Sequence, residues 1–355
     1  MDALLLAAAL LVAFANGAND NFKSVASLWS SDLLDYRRAL RLTTVATLAG
    51  ALLSLWLAHA LLVRFAGHGL VPEANLTPAF ITAVALAGAA TVLLATRLGY
   101  PVSTTHALLG ALVGSGLASA GAALRLQTLA HSFVLPLLFS PLAAALLAAL
   151  AHRALQRRLG QADCLCLDPL ATPDPGGTLS ATATRLVAAP ASACCQYPPA
   201  LRFSVRRGLD RVHLASALTI AAARGLNDTP KIAALLLTVD PQHGIALIAA
   251  AMGLGGLLLS GRVARTLGRE LCRLDPVQGV AANLVTSGLV LAASLWGLPV
   301  STTHVATGSL AGVGQRAGGL NRLLLGRILL AWLVTLPLAA VLAYAIRLLL
   351  GNGGE

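Results

Sequence analysis

The chain has 355 residues, 57% of them hydrophobic and 11% charged, where an ordinary soluble domain carries about 25% charged residues. That excludes a soluble globule, and 4% aromatics under an excess of Ala, Leu, Gly and Val exclude a membrane β-barrel with its aromatic girdles. The formal net charge of +11 sits in short Arg clusters between apolar runs, which marks cytoplasmic loops rather than a nucleic-acid surface. The expectation is an all-α polytopic membrane protein.

Apolar runs near the roughly 20 residues that cross a bilayer core fall, in chain order, at 3–28, 40–63, 79–97, 126–150, 213–239, 243–260, 277–297 and 323–350. The first has no basic region ahead of it and no small-residue cleavage site behind it, so it reads as a retained span and not a secretory signal. Two shorter runs, 104–119 and 302–314, read as the returning arms of re-entrant hairpins. Residues 152–212 are rich in Pro, Ala, Ser, Thr and Arg, contain no spanning run and read as a linker. Cys164, Cys166, Cys194 and Cys195 in that linker complete no familiar zinc spacing, and a reduced cytoplasmic loop gives them no disulfide role.

The chain repeats itself. PVSTTH stands at Pro101 to His106 and again at Pro299 to His304, and GANDNFK at Gly17 to Lys23 is echoed by GLNDTPK at Gly225 to Lys231. Basic loops at 31–41, 152–212, 261–275 and 315–322 alternate with non-basic ones at 64–78 and 240–244. Placing the basic loops in the cytoplasm inverts one half against the other and leaves both termini outside. The expected organisation is a first repeat over 1–151, a cytoplasmic linker over 152–212 and a second, inverted repeat over 213–355. Inverted repeats with interrupted helices are the architecture of secondary transporters. The Ala, Leu and Arg bias suits a GC-rich bacterium, hence the bacterial inner membrane.

Each PVSTTH places a helix-breaking Pro before a Ser-Thr-Thr that can cap and open a new helix. Free N–H groups, a helix dipole and hydroxyls then form an anion cradle from Ser103, Thr104, Thr105, Ser301, Thr302 and Thr303. Plain helix-to-helix hydrogen bonding is the competing role of such residues. His106 and His304 close the hexapeptides as proton carriers, anion donors or structural histidines, with all three roles open. Asp20 and Asp228 lie inside apolar segments, where a carboxylate is costly unless paired or functional. Lys23 and Lys231 follow them by three residues, on one helical face, and a simple neutralising ion pair is the alternative to a functional one. Asn19, Asn227 and the glycines at 17 and 225 suggest a local helix break with exposed carbonyls. Arg224, where the first repeat has Asn16, either reaches an anion as a bidentate ligand or snorkels to the interface. No set of nucleophile, base and orienting group is found, so no enzyme is expected.

With FANGANDNFKSVASLW, RGLNDTPKIAALL and both hexapeptides in view, the chain resembles the inorganic phosphate transporter (PiT) family of sodium- or proton-coupled symporters, over about 1–150 and 213–350. The resemblance implies an anion symporter, a homodimer in the lipid bilayer, with inorganic phosphate or a similar tetrahedral oxyanion held between hairpin tips and Asn-Asp segments. It implies substrate contacts from the six Ser and Thr residues with Asn19, Asn227, Lys23 and Lys231, and a coupling-ion or proton role for Asp20, Asp228, His106 and His304. No cofactor follows beyond a coupling proton or sodium ion, and no nucleic acid. Where the family pattern has Asn three residues after each Asp, this chain has its only two Lys among 25 basic residues. An ammonium offers sodium no lone pair and repels it, so proton coupling is favoured over sodium. A sulfate permease of the same fold is the nearest alternative; an anion channel or a sensor is the alternative from another class.

Overall fold

The computed structural model describes residues 1–159, 164–173, 179–189, 202–237, 244–271, 273–314 and 319–351. Among these, ten helices of 13 residues or more carry the fold, five in each half. They are α1 (Asp2–Asp20), α2 (Tyr36–Leu57), α3 (Pro78–Leu98), α4 (Thr104–Ala120), α5 (Leu135–Leu159), α6 (Val205–Ala233), α7 (Gly244–Leu259), α8 (Pro276–Leu295), α9 (Thr302–Gly314) and α10 (Arg322–Leu349). Six helical spans are long and apolar enough to cross a membrane, and a seventh is the pair Gly244–Leu259 and Gly261–Leu271, bent by 66°. The outer faces of α5 and α10 expose Leu138, Phe139, Leu142, Leu330 and Leu333, as lipid-facing helices do. The protein is therefore an all-helical polytopic membrane protein in its apolar body.

Local chemistry explains the helix ends. The Asp35 side chain caps α2 by accepting the Arg38 N–H at 3.0 Å, a bond that also holds its carboxyl below the usual range. Thr77 with Pro78 opens α3, and Asp275 with Pro276 opens α8, the latter in a reciprocal capping box with Gln278. Both helices run into a left-handed glycine, Gly99 at φ 80° and Gly297 at φ 65°, a conformation that a Cβ would strain. The next helix in each half then begins at Ser103 or Ser301.

Packing repeats with the same period. Helix α1 packs on α3 and α7, and α6 packs correspondingly on α8 and α2; α4 packs on α10 as α9 packs on α5. The crossings between halves are close enough to need glycine. A Cβ on Gly17 would lie 1.8 Å from the Met252 carbonyl oxygen, and one on Gly225 would lie 2.2 Å from that of Thr47. Gly114 against Ala340 (1.9 Å) and Gly312 against Ala145 (2.1 Å) form a second matched pair. Without a water-driven force between helices in lipid, such backbone approach is what holds them.

Two expectations are corrected here, and the linker gains detail. The chain does not break at Gly17 or Gly225: α1 continues to Asp20 before tightening into a 3₁₀ turn over Asn21–Val25, and α6 runs unbroken through Pro230 to Ala233. Those glycines serve packing instead. The run at 40–63 is divided at Ala58 (φ −130°, ψ 29°) into α2 and a short helix, His59–Phe65. The linker carries regular structure: β1 (Cys164–Pro173), β2 (Leu179–Ala189) and β3 (Arg202–Ser204) form an antiparallel sheet in the order β2-β1-β3, with Cys164 opposite Ala189 and Ser204. Cys194 and Cys195, like Arg316 of the last basic loop, lie outside the described residues.

Candidate functional site

Both hexapeptides meet the ends of α1 and α6 at the centre of the molecule. The two extended turns before α4 and α9 are braced from the other motif. Asn19 Nδ2 donates to Thr96 Oγ1 (2.8 Å) and the Tyr100 carbonyl (3.0 Å), while its Oδ1 accepts the Val102 N–H at 3.0 Å. Asn227 Nδ2 donates to the Val300 carbonyl at 3.3 Å, and its Oδ1 accepts the Ser294 hydroxyl at 3.1 Å. Ser103 and Ser301 cap the following helices by accepting the N–H of His106 (3.1 Å) and His304 (3.2 Å). The two Asn and two Ser side chains thus hold backbone in place, and their remaining neighbours carry the charge.

Each ammonium sits in a cage of oxygens, and the two cages are equivalent. Lys23 Nζ donates to Asp20 Oδ1, to the Val102 carbonyl at 2.7 Å and to Thr303 Oγ1 of the other half at 2.6 Å. Lys231 Nζ donates to Asp228 Oδ1 at 3.4 Å, to the Val300 carbonyl at 2.8 Å and to Thr105 Oγ1 of the other half at 2.9 Å. All four charged groups are buried. A buried ion pair is tolerated only when further hydrogen bonds satisfy both partners, and here a carbonyl and a hydroxyl complete each ammonium. Thr303 also donates to the Val102 carbonyl at 2.9 Å, as Thr105 does to that of Val300 at 3.4 Å.

The correspondence between the two halves fails at Asn16 and Arg224. The Asn16 amide donates to Asp20 Oδ2 (3.0 Å), Thr104 Oγ1 (3.0 Å) and Asp228 Oδ2 (3.2 Å), so it joins the two carboxylates. Thr104 closes the set by donating to Asp20 Oδ2 at 3.3 Å. Opposite Asn16 stands Arg224, 1% exposed, which donates to Asn16 Oδ1 (3.1 Å), Asn21 Oδ1 (3.1 Å) and Thr47 Oγ1 (2.8 Å). Arg224 is therefore locked inside and does not snorkel. The His106 and His304 rings lie 4.3 Å apart between centroids with their planes tilted by 59°, and His304 lies 3.8 Å from the ring of Trp332, whose Nε1 donates to the Pro101 carbonyl at 2.9 Å. Thr302 is buried at the equivalent of Thr104.

The structure thus joins the Asn, Asp and Lys of both motifs with Ser103, Thr104, Thr105, Ser301 and Thr303 in one central cluster or its braces, while His106 and His304 pair with each other beside Trp332 and Thr302 is buried. Sequence reasoning missed Thr96, Ser294 and Trp332, as well as Asn21 and Thr47, which hold Arg224. The first two were detectable as polar residues inside apolar runs at matching distances before the hexapeptides; Trp332 carries no such signal. Among the described residues no group of three His, Cys, Asp or Glu side chains has metal-binding geometry.

The profile of a family described as "Phosphate transporter family" matches residues 16–343. A Mycobacterium bovis protein named "Probable low-affinity inorganic phosphate transporter" is 30% identical, the match covering 95% of this chain and 75% of the relative. A Bacillus subtilis protein of the same name is 26% identical over 96% of both chains. The solved structure titled "The sodium-dependent phosphate transporter" superimposes with a TM-score of 0.76 over 98% of each chain at 21% identity, a likeness of fold.

Proposed function

This chain belongs to the phosphate transporter family, and from that premise we propose that it carries inorganic phosphate across the membrane by alternating access between two inverted repeats. Its work is transport and not catalysis. The α3–α4 and α8–α9 pairs act as re-entrant hairpins whose tips meet at the substrate, and the Arg-rich loops lie in the cytoplasm with both termini outside.

The observation that carries this reading is the pair of equivalent oxygen cages around Lys23 and Lys231. Each cage joins the halves through one bond, Lys23 to Thr303 and Lys231 to Thr105. An anion entering between the halves replaces those two bonds and finds two ammoniums and two hydroxyls as donors, with Thr104 and Thr302 beside them. Charge counting favours phosphate over sulfate. Three buried cations, Lys23, Lys231 and Arg224, against two carboxylates leave one formal positive charge, which dihydrogen phosphate balances and a sulfate dianion overshoots. Protonated phosphate can also donate a hydrogen bond to Asp20 or Asp228, which sulfate cannot.

The tethered ammoniums stand where mobile coupling cations would stand, so transport is coupled to protons and independent of sodium. The test is uptake of labelled phosphate into proteoliposomes with sodium replaced by choline. The expected rate is unchanged by choline, and it rises as pH falls through the second ionisation of phosphate, because the monoanion fraction rises. Uptake that collapses in choline, with the K23N/K231N variant behaving like wild type, overturns the coupling.

A further inference from the structure

Setting Gly17 against Gly225 and Pro101 against Pro299 pairs the surroundings of the two ammoniums position by position. Outward from Lys23 run Ser24, Ser27, Asn283, Ser216 and His213. At the matching positions outward from Lys231 stand Ile232, Leu235, Ala85, Ala8 and Leu5. All ten residues are buried. A fold that repeats its packing so closely has replaced five consecutive polar positions by apolar ones on one side only.

The polar side is a connected seam. Ser27 Oγ donates to Asn283 Oδ1 at 3.1 Å, Asn283 Nδ2 donates to Ser216 Oγ at 3.2 Å, and Ser216 Oγ donates to the His213 carbonyl at 2.9 Å. A cavity of about 10 Å³ has Lys23, Ser27, Asn283 and Thr286 on one wall and apolar side chains, Ile220 and Leu310 among them, on the other. Ser24 Oγ and both ring nitrogens of His213 are buried and find no hydrogen-bond partner among the described residues. Buried polar atoms left in that state mark places served by water or a ligand. Gly279 makes the room: a Cβ there would lie 2.2 Å from His213 Nε2, and its counterpart is Ile81. The seam ends at His213 in the third turn of α6, against Gly279 in the first turn of α8, and Arg206, Arg207 and Arg211 lie in the first two turns of the same α6. On the opposite side Leu5, Ala8, Phe65, Phe80, Ile81 and Leu235 belong to one apolar cluster.

We infer that the seam from Lys23 through Ser27, Asn283 and Ser216 to His213 is the path by which the anion passes between the central site and the Arg-rich face, and that the apolar cluster is the closed barrier on the other side. The inference rests on the anion-transport reading. Hydroxyl and amide donors at successive turns hand an oxyanion along without trapping it, while the leucine and phenylalanine side chains offer it nothing in exchange for its water.

The experiment places single cysteines by Ser27→Cys and Leu235→Cys in full-length protein whose five native cysteines are replaced by Ser. A membrane-impermeant methanethiosulfonate reagent is applied to each face of sealed vesicles. Ser27→Cys is expected to react from the Arg-rich face at least about tenfold faster, the rate ratio of a 1.4 kcal/mol difference, than Leu235→Cys reacts from the opposite face. Equal rates, or reaction of Leu235→Cys alone, overturn the inference. Should either variant fail to fold, hydrogen–deuterium exchange on the wild-type protein decides: amides at 213–217 and 280–287 exchange faster than those at 5–9 and 82–89, and the reverse order overturns the path. Solvent access tests the path whatever the cargo, and slowing of the Ser27→Cys reaction by inorganic phosphate tests the transport reading alone.

Discussion

The helix crossings and the charged centre repeat between the two halves to different degrees. At the crossings the match is residue for residue: Gly17 meets Met252 as Gly225 meets Thr47, and Gly114 meets Ala340 as Gly312 meets Ala145. At the centre Asn16 faces Arg224, and outward from the two Lys one side is polar and the other apolar. The difference follows from what each region depends on. A crossing is set by backbone oxygen against missing Cβ, so any change of residue moves a helix. A side-chain network needs only its donors and acceptors satisfied, so one half can specialise while the other keeps the frame.

Substituting a crossing glycine gives the largest effect. Overpacking is mild where neighbouring side chains can shift, but a Cβ 1.8 Å from the Met252 carbonyl oxygen meets backbone and must separate two helices, so the whole fold is lost. Gly17→Val and Gly225→Val are each expected to abolish the monodisperse peak in gel filtration; survival of either breaks the equivalence of the crossings. Asp20→Asn comes next. It leaves the Lys23 ammonium buried without its carboxylate, a loss of about 3–5 kcal/mol, seen as a large fall in thermal stability. Adding Lys23→Met restores most of that stability but not uptake, and Asp228→Asn with Lys231→Met does the same in the other half. An unequal response of the two pairs would show that the asymmetry reaches the cages. The smallest effect is expected at the centre: Arg224→Asn weakens phosphate binding by roughly 10- to 100-fold, the scale of one charge-assisted contact. Asn16→Arg in the same chain recovers part of it if the two positions are equivalent. Isothermal titration reads both.

Much of this arrangement was legible in the sequence because membrane insertion leaves few polar residues without a task. The duplicated hexapeptides located both helix starts, and Ser103 and Ser301 cap them. The Asp-to-Lys spacing predicted the contacts within each half, Asp20 with Lys23 and Asp228 with Lys231. What escaped was long-range. That each ammonium reaches a threonine of the other half depends on how two distant hairpins dock, and no local pattern encodes it. Gly17 and Gly225 looked like helix breakers because glycine serves both breaks and close packing, and only the neighbouring helix decides between them. The bond from Trp332 to the Pro101 carbonyl has no counterpart, since Leu137 of α5 stands at the equivalent place on its helix.

The tethering of the two cations has an electrical consequence. A bound sodium ion crosses with its substrate and brings its charge along; an ammonium fixed to Asp20 or Asp228 through Lys23 or Lys231 delivers none to the far side. Dihydrogen phosphate moving alone would carry one negative charge against an interior-negative potential, at about 2.3 kcal/mol per 100 mV. Under the proposed proton coupling, one proton travelling with it would cancel that work, and phosphate entry would be electrically silent.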